Sequence, residues 1–223
     1  MDVRLPLSLA AGVRAARLAW FLALATVAYN FAEGAAALWL GHLSESWGII
    51  SFGLEAVVES LSGAVILWRF SPALSPEERR RSSSREQRAV LLLGWSFLVL
   101  AAFIAVEAVE RMLGHVVAHP HGLVFVLAGI SVMVKPLLFW AKSRLGRRLG
   151  SAALLADAKQ TLACAGLSAA LLVGVLVREW VGLWQADSLL ALLIAAVLVR
   201  EGIHTLRHRH ILCCPVEASR ETS

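Results

Sequence analysis

Residues 48–68 read GIISFGLEAVVESLSGAVILW. The stretch is about as long as the ~20 predominantly apolar residues that a helix needs to cross a bilayer. Its only charged residues are Glu55 and Glu59. Four positions apart on an α-helix, the two carboxylates stand one turn apart on one face. Glu55 lies about seven residues from the start of the run, roughly 10 Å along the helix axis and close to the membrane middle. Two carboxylates this close in low dielectric resist double ionisation. A divalent cation relieves the repulsion, and so does a proton. The alternative is that each Glu pairs with Lys135 or Lys159, or stays protonated and hydrogen-bonded.

Five more runs of this kind surround it, at about Leu18–Leu40, Ala89–Leu113, Gly122–Ala141, Ala152–Val177 and Asp187–Leu206. The sequence therefore predicts an all-α, polytopic six-helix membrane bundle. Its expected parts are an N-terminal segment 1–17, a transmembrane domain 18–206 and a short tail 207–223. Composition agrees. Of 223 residues, 58% are hydrophobic and 17% charged, with a mean hydropathy of +0.71. Soluble domains are usually nearer 45–50% apolar and ~25% charged. The net charge of +5 does not indicate nucleic acid, because the basic residues sit in short segments between apolar runs. Of the 21 basic residues, 16 fall in the N-terminal segment, the second-to-third loop, the fourth-to-fifth loop and the tail. By the positive-inside rule both termini are expected in the cytoplasm of a cell-membrane protein. The loop SPALSPEERRRSSSREQR (71–88) is expected to be exposed and mobile, and Lys142, Arg144, Arg147 and Arg148 are assigned to the loop before the fifth helix. Trp39, Trp47, Trp68, Trp140, Trp180 and Trp184 fall near expected helix ends, as interfacial anchors do.

Ionisable residues inside spanning segments are costly and usually face the bundle interior or a water-filled path. Besides the Glu55–Glu59 pair, the first helix carries Asn30 and Glu33, the third Glu107 and Glu110, the fourth Lys135, and the fifth Asp157 and Lys159. Asp157, Gln160 and Cys164 stand at i, i+3 and i+7 and share a face. A thiolate, an amide oxygen and two carboxylates suit a four-ligand metal site, with Asp157 as an additional ligand or proton relay. Lys159 points elsewhere, toward an acid on a neighbouring helix. Two peripheral groups also carry metal-ligand residue types. They are His115, His119 and His121 in one loop, and His204, His208, His210, Cys213 and Cys214 in the tail. Neither has a zinc-finger spacing, and polar loop residues are the bland alternative. Three cysteines, two of them adjacent, indicate no disulfide framework.

At these residues the chain resembles the transmembrane domain of the cation diffusion facilitator family. The similar segments are GLEAVVESLSGAVILWRF (53–70), AVEAVERML (105–113), RLGRRLGSAALLADAKQTLACAG (144–166) and WQADSLLALLIAAVLVREGIHTLR (184–207). The likeness is strongest to a short bacterial branch without the family's cytoplasmic domain. The resemblance implies that Glu55 and Glu59 match the two second-helix metal ligands, and that Gln160 and Cys164 match the two on the fifth helix. Here Glu replaces the usual Asp, Gln160 stands where His is common, and Cys164 stands where Asp is expected. It further implies export of a divalent cation, zinc as first guess, by alternating access and proton antiport in a homodimer. The metal is cargo, with no permanently bound cofactor. The rival reading is a non-transporting membrane subunit that binds metal or a partner protein. No nucleophile–base pair or catalytic motif suggests an enzyme.

Overall fold

The computed structural model describes residues 5–43, 47–71, 82–114, 122–181 and 186–207. Among them there is only helix: α1 (Leu5–Leu43), α2 (Trp47–Arg69), α3 (Ser82–Gly114), α4 (Gly122–Leu149), α5 (Ala152–Val181) and α6 (Ala186–Arg207). The six expected spans all form. Four helices are long and apolar enough by themselves to cross a membrane, namely α1, α3, α4 and α6. The remaining two, α2 and α5, hold the acids Glu55, Glu59 and Asp157. Those polar positions turn inward. Glu55, Glu59, Asp157 and Gln160 are all buried, while Leu61 on α2 and Leu162 on α5 are exposed. Large apolar side chains such as Phe31, Met133 and Trp180 also stay on the outside, as expected where the solvent is lipid rather than water.

Small residues set how close the helices come. Without a hydrophobic force between helices in lipid, association rests on close packing. On α1 and α2 that packing centres on Gly34 and Gly53. A Cβ on Gly53 would stand 3.0 Å from the Leu38 backbone nitrogen, and one on Gly34 would stand 3.2 Å from the Gly53 carbonyl oxygen. The contacts Gly41 to Ile50, Gly34 to Gly53 and Gly63 to Val27 run in opposite chain directions, so the pair is antiparallel. The helix pairs α3–α6 and α4–α5 pack antiparallel in the same manner, through Gly94 against Leu206 and Gly146 against Leu155.

Two expectations fail at the end of the bundle that carries most of the basic residues. Ser82–Arg88, assigned to a mobile loop, is the first two turns of α3. Lys142, assigned to a loop as an orientation charge, is a fully buried residue of α4, which continues to Leu149. Both errors have one cause: charge was read as exposure. Glu86 is buried because it has three partners. It accepts hydrogen bonds from the Ser151 hydroxyl (2.9 Å) and the Ala153 amide (2.8 Å), and it pairs with Arg69 (2.5 Å). The Ala153 amide is one of the unpaired donors of the α5 N-terminus, where negative charge is favoured. Gly150 makes the preceding turn possible with φ +60, and the Ser151 amide closes it on the Gly146 carbonyl at 3.0 Å. The Ser151 hydroxyl in turn accepts from the Leu154 amide at 3.2 Å, so α5 is capped from its own chain and from α3 together. Around this end Arg85 lies over Trp68 and Arg144 over Trp140, with guanidinium-to-ring distances of 5.7 and 5.2 Å.

Gly53→Val must push α1 away from α2, because a backbone atom cannot yield as a side chain does. The expected cost is about 1–3 kcal/mol, read as a lowered unfolding temperature of the detergent-solubilised protein. Gly129→Ala, which meets nothing within 4 Å, is expected to leave that temperature unchanged or slightly raised.

Candidate functional site

Each helix brings its polar residues inward by ordinary helical spacing. The buried face of α1 runs through Ala19, Ala23, Thr26, Asn30, Glu33 and Ala37. That of α2 runs through Phe52, Glu55, Glu59 and Ser62, and that of α5 through Asp157, Gln160, Thr161, Cys164 and Ser168. The residue that joins these faces belongs to α4. The Lys135 ammonium lies 3.2 Å from a Glu33 carboxylate oxygen and 3.2 Å from a Glu59 carboxylate oxygen, with all three side chains almost fully buried. Its charge also acts on Glu55 and Cys164. Phe52 stands alongside, its ring centre 5.9 Å from the ammonium.

The predicted ligands are therefore not all brought together. Glu55 and Cys164 are both buried and lie near each other between α2 and α5. Glu59 is engaged by Lys135. Gln160 is held by two serines, its Oε1 2.9 Å from the Ser62 hydroxyl and 3.0 Å from the Ser96 hydroxyl. Asp157 is tied into a second buried pair, 2.8 Å from Lys142, whose ammonium also donates to Thr161 at 2.8 Å. Among the described residues no three His, Cys, Asp or Glu side chains stand close enough together to hold a metal ion. The alternative weighed from sequence is thus half right. Lys135 does pair with Glu59, but Lys159 faces outward to Glu201 on α6 at 2.5 Å, and Glu55 has no ion pair in the described structure.

Hydrogen bonding in this nest is incomplete. Both Glu59 oxygens, Glu55 Oε1, Glu33 Oε2, Gln160 Nε2 and both polar atoms of Asn30 are buried with no hydrogen-bond partner among the described residues. Lys135 stands 3.2 Å from Glu33 Oε2 and Glu59 Oε2 as an ion-pair partner, so of these atoms Glu59 Oε1, Glu55 Oε1, Gln160 Nε2 and the Asn30 amide have neither a hydrogen bond nor an ion pair among the described residues. Native interiors leave few such atoms, and a cluster of them calls for an explanation. Glu33 is the better satisfied acid: the Ser131 hydroxyl donates to its Oε1, and the Tyr29 hydroxyl lies 3.4 Å from the same atom. Beside Glu55 a cavity of about 70 Å³ reaches toward the end of the bundle away from the basic residues. Phe52, Phe103, Glu107, Arg111 and Ser188 are among its lining residues. One water needs on the order of 10–15 Å³, so the cavity is wide enough for several. Glu107 pairs with Arg111 at its rim, while Glu110 is exposed.

Residues 22–209 match the model of the cation efflux transmembrane domain. The chain belongs to the cation efflux family. The match covers every residue of the buried nest. Among curated relatives, Transmembrane protein 163 of Xenopus laevis is 28% identical over 182 residues, covering 81% of this chain and 63% of that protein. An uncharacterized transporter of Synechocystis is 29% identical over 168 residues, covering 74% of this chain and 54% of that one. An uncharacterized transporter of Methanocaldococcus jannaschii is 22% identical over 174 residues, covering 77% and 61%. The chain thus spans 54–63% of the length of these relatives. It carries the multi-pass membrane domain of a cation-transport family, with a metal cation as the family's cargo.

Sequence reading missed Lys142, Ser62, Ser96 and Thr161. The signal for Lys142 lay in its spacing: Lys135 and Lys142 are seven apart and share one face of α4. His115, His119, His121, His208, His210, Cys213 and Cys214 lie outside the described residues. His204 is exposed in the last turn of α6.

Removing one partner of the Lys142–Asp157 pair leaves a buried charge uncompensated. Asp157→Leu or Lys142→Met alone is expected to cost on the order of 3–5 kcal/mol, and the double substitution much less than the sum. Thermal unfolding of the four proteins in one detergent measures this coupling.

Proposed function

We propose that this protein moves a divalent metal cation, zinc first among them, across the cytoplasmic membrane through the Glu55–Glu59 nest. Both termini lie in the cytoplasm, by the bias of basic residues, and the working unit is a homodimer, carried over from the family. The observation that carries the reading is the set of buried carboxylate oxygens without hydrogen bonds, set beside a cavity.

Charge counting supports it. Three carboxylates, Glu33, Glu55 and Glu59, surround the single ammonium of Lys135. The Lys142–Asp157 pair is neutral by itself. With all acids ionised the nest has an excess of two negative charges, which is the charge of one divalent ion. Such an excess is not sustained in low dielectric. Either a divalent cation or protons must balance it, and the exchange of one for the other is cation/proton antiport. Ligand chemistry points the same way. Carboxylate oxygens with a thiol suit zinc or cadmium better than magnesium, which prefers oxygen ligands and retains its waters.

Hydrogen-bond arithmetic also supports Gln160 as a ligand. A hydroxyl has one proton to donate. The Ser96 hydroxyl stands 2.8 Å from the Leu93 carbonyl oxygen, which accepts that proton. Ser96 then has only acceptor capacity for Gln160. Turning the amide end for end lets its two N–H groups serve the Ser62 and Ser96 oxygens. It places the carbonyl oxygen where Nε2 lies buried without a partner. In this orientation α2 and α3 hold the amide by its nitrogen and leave its oxygen for a cation.

Reconstituted into sealed vesicles, the wild-type protein is expected to take up zinc or cadmium faster under an imposed pH gradient. Glu55→Gln and Glu59→Gln are each expected to reduce the rate at least ten-fold without changing the unfolding temperature by more than a few degrees. Manganese and iron report selectivity in the same assay. A well-folded protein with no metal-dependent flux under any gradient would overturn the reading and favour the non-transporting subunit, for which the Lys135 pairing is the structural argument.

A further inference from the structure

Lys135 stands at a place where a cation transporter has reason to keep no cation of its own. Its ammonium is within 3.2 Å of Glu59, one of the two acids of the second-helix pair. A metal ion and an ammonium cannot share that carboxylate at close range: like charges a few ångströms apart in low dielectric repel by several kcal/mol. The lysine must therefore leave Glu59 for the site to load. A buried ammonium that simply lost its partner would incur a penalty of several kcal/mol, enough to oppose binding. The structure supplies a second partner. Glu33 lies at the same 3.2 Å on α1, and its other oxygen is already held by Ser131 and Tyr29.

Resting on the transport reading above, we propose that Lys135 is a tethered counter-cation. It balances Glu59 while no metal is bound and withdraws to Glu33 when the metal arrives, so lysine and cargo alternate at one carboxylate. No proton leaves Lys135 in this exchange; the ammonium only changes partner. Glu33 is the parking place, fixed in orientation by the Ser131 and Tyr29 hydroxyls, which themselves stand 3.1 Å apart. Two features suit α4 to carry the moving group. Pro136 follows Lys135 directly and takes one hydrogen bond out of the α4 ladder at that turn. The lysine side chain is also a flexible four-carbon stem ending in a point charge, so a shift between two carboxylates needs only rotamer changes.

Such a device has a consequence for the empty protein. Two negative charges facing each other across an unloaded site would drive the helices apart or hold the site open to water. With the ammonium bridging α1 and α2, the empty bundle is charge-compensated and can close. Loading then exchanges a weak internal ligand for a strong external one, which keeps affinity low enough for release.

The proposal is tested by measuring zinc affinity of the purified protein in detergent, with a chromophoric chelator as competitor and cadmium as a second probe. K135Q removes the competitor, and the zinc Kd is expected to fall at least ten-fold. E33Q removes the parking place and confines the ammonium to Glu59, and the Kd is expected to rise at least ten-fold. This divergence distinguishes the device from structural damage, which weakens both variants. K135Q binding zinc no more tightly than wild type overturns the proposal and leaves the transport reading standing. Should K135Q fail to fold, E33Q decides, and an unchanged or lowered Kd there overturns it. Binding by K135Q but not by wild type supports the proposal in its strongest form. Absence of zinc and cadmium binding in all three proteins removes the transport reading and the proposal with it.

Discussion

The fold depends on the pairing of charges that the lipid would otherwise exclude. A charged residue at the bilayer centre costs at least ~2.5–3.5 kcal/mol on insertion scales, and the bundle buries Glu33, Glu55, Glu59, Lys135, Lys142 and Asp157 together. It can do so because α4 presents two lysines seven residues apart to acids on three different helices. Lys135 meets α1 and α2, and Lys142 meets α5. Shape packing alone, through glycines on α1 and α2, would fix which helices touch. The lysines add a condition on rotation: each of these helices must turn one particular face inward or leave a charge in hydrocarbon. Ion pairs of this kind are poor sources of net stability but strong constraints on arrangement.

The two ends of the molecule differ in a way that bears on function. At the basic end Glu86 and the start of α5 are fully hydrogen-bonded, although the Asp157 oxygens have only the Lys142 charge beside them. Glu86 ties α3 to the start of α5 and to Arg69 at the end of α2, and the Gly150–Ser151 turn joins α4 to α5 without loose backbone. At the far end Glu55 borders a cavity, and polar atoms in the nest lack hydrogen bonds. A carrier that exposes a central site to one side at a time needs this contrast. On the proposed orientation, the sealed end is cytoplasmic and the cavity leads outward.

The six helices were legible in the sequence because length and apolarity identify a span directly. The acids of α2 were legible as buried because two charges one turn apart inside an apolar run must face the bundle interior, whether a cation or a lysine meets them there. What stayed hidden was partnership. Nothing in the run around Lys142 distinguishes it from Arg144, Arg147 and Arg148, yet it is buried and Arg144, Arg147 and Arg148 are exposed. Its seven-residue spacing from Lys135 and the position of Asp157 on the facing helix separate them. Glu86 was misread for the same reason, because an acid in a basic, serine-rich stretch looks solvated until a helix N-terminus is placed beside it. Single-chain patterns report the environment of a helix face, whereas pairings between helices depend on contacts that no one segment contains.

If Glu55, Glu59, Gln160 and Cys164 hold the cargo as proposed, their departures from the ligand pattern that the family resemblance implies make more sense with Lys135 included. A site of short, fully ionised aspartates would hold an adjacent ammonium tightly and exclude cargo. Glutamates lengthen the arms by one methylene, so one carboxylate can turn from the lysine to an incoming metal without moving its helix. An amide and a thiol in the remaining positions add ligands without adding fixed negative charge. A thiol in place of a carboxylate lowers the negative charge of the proposed site, and the lysine lowers it again. On the proposed mechanism, the cation site works against its own tethered competitor, so it holds its cargo less firmly than a bare four-ligand cage. That is the property a carrier needs and a storage site does not.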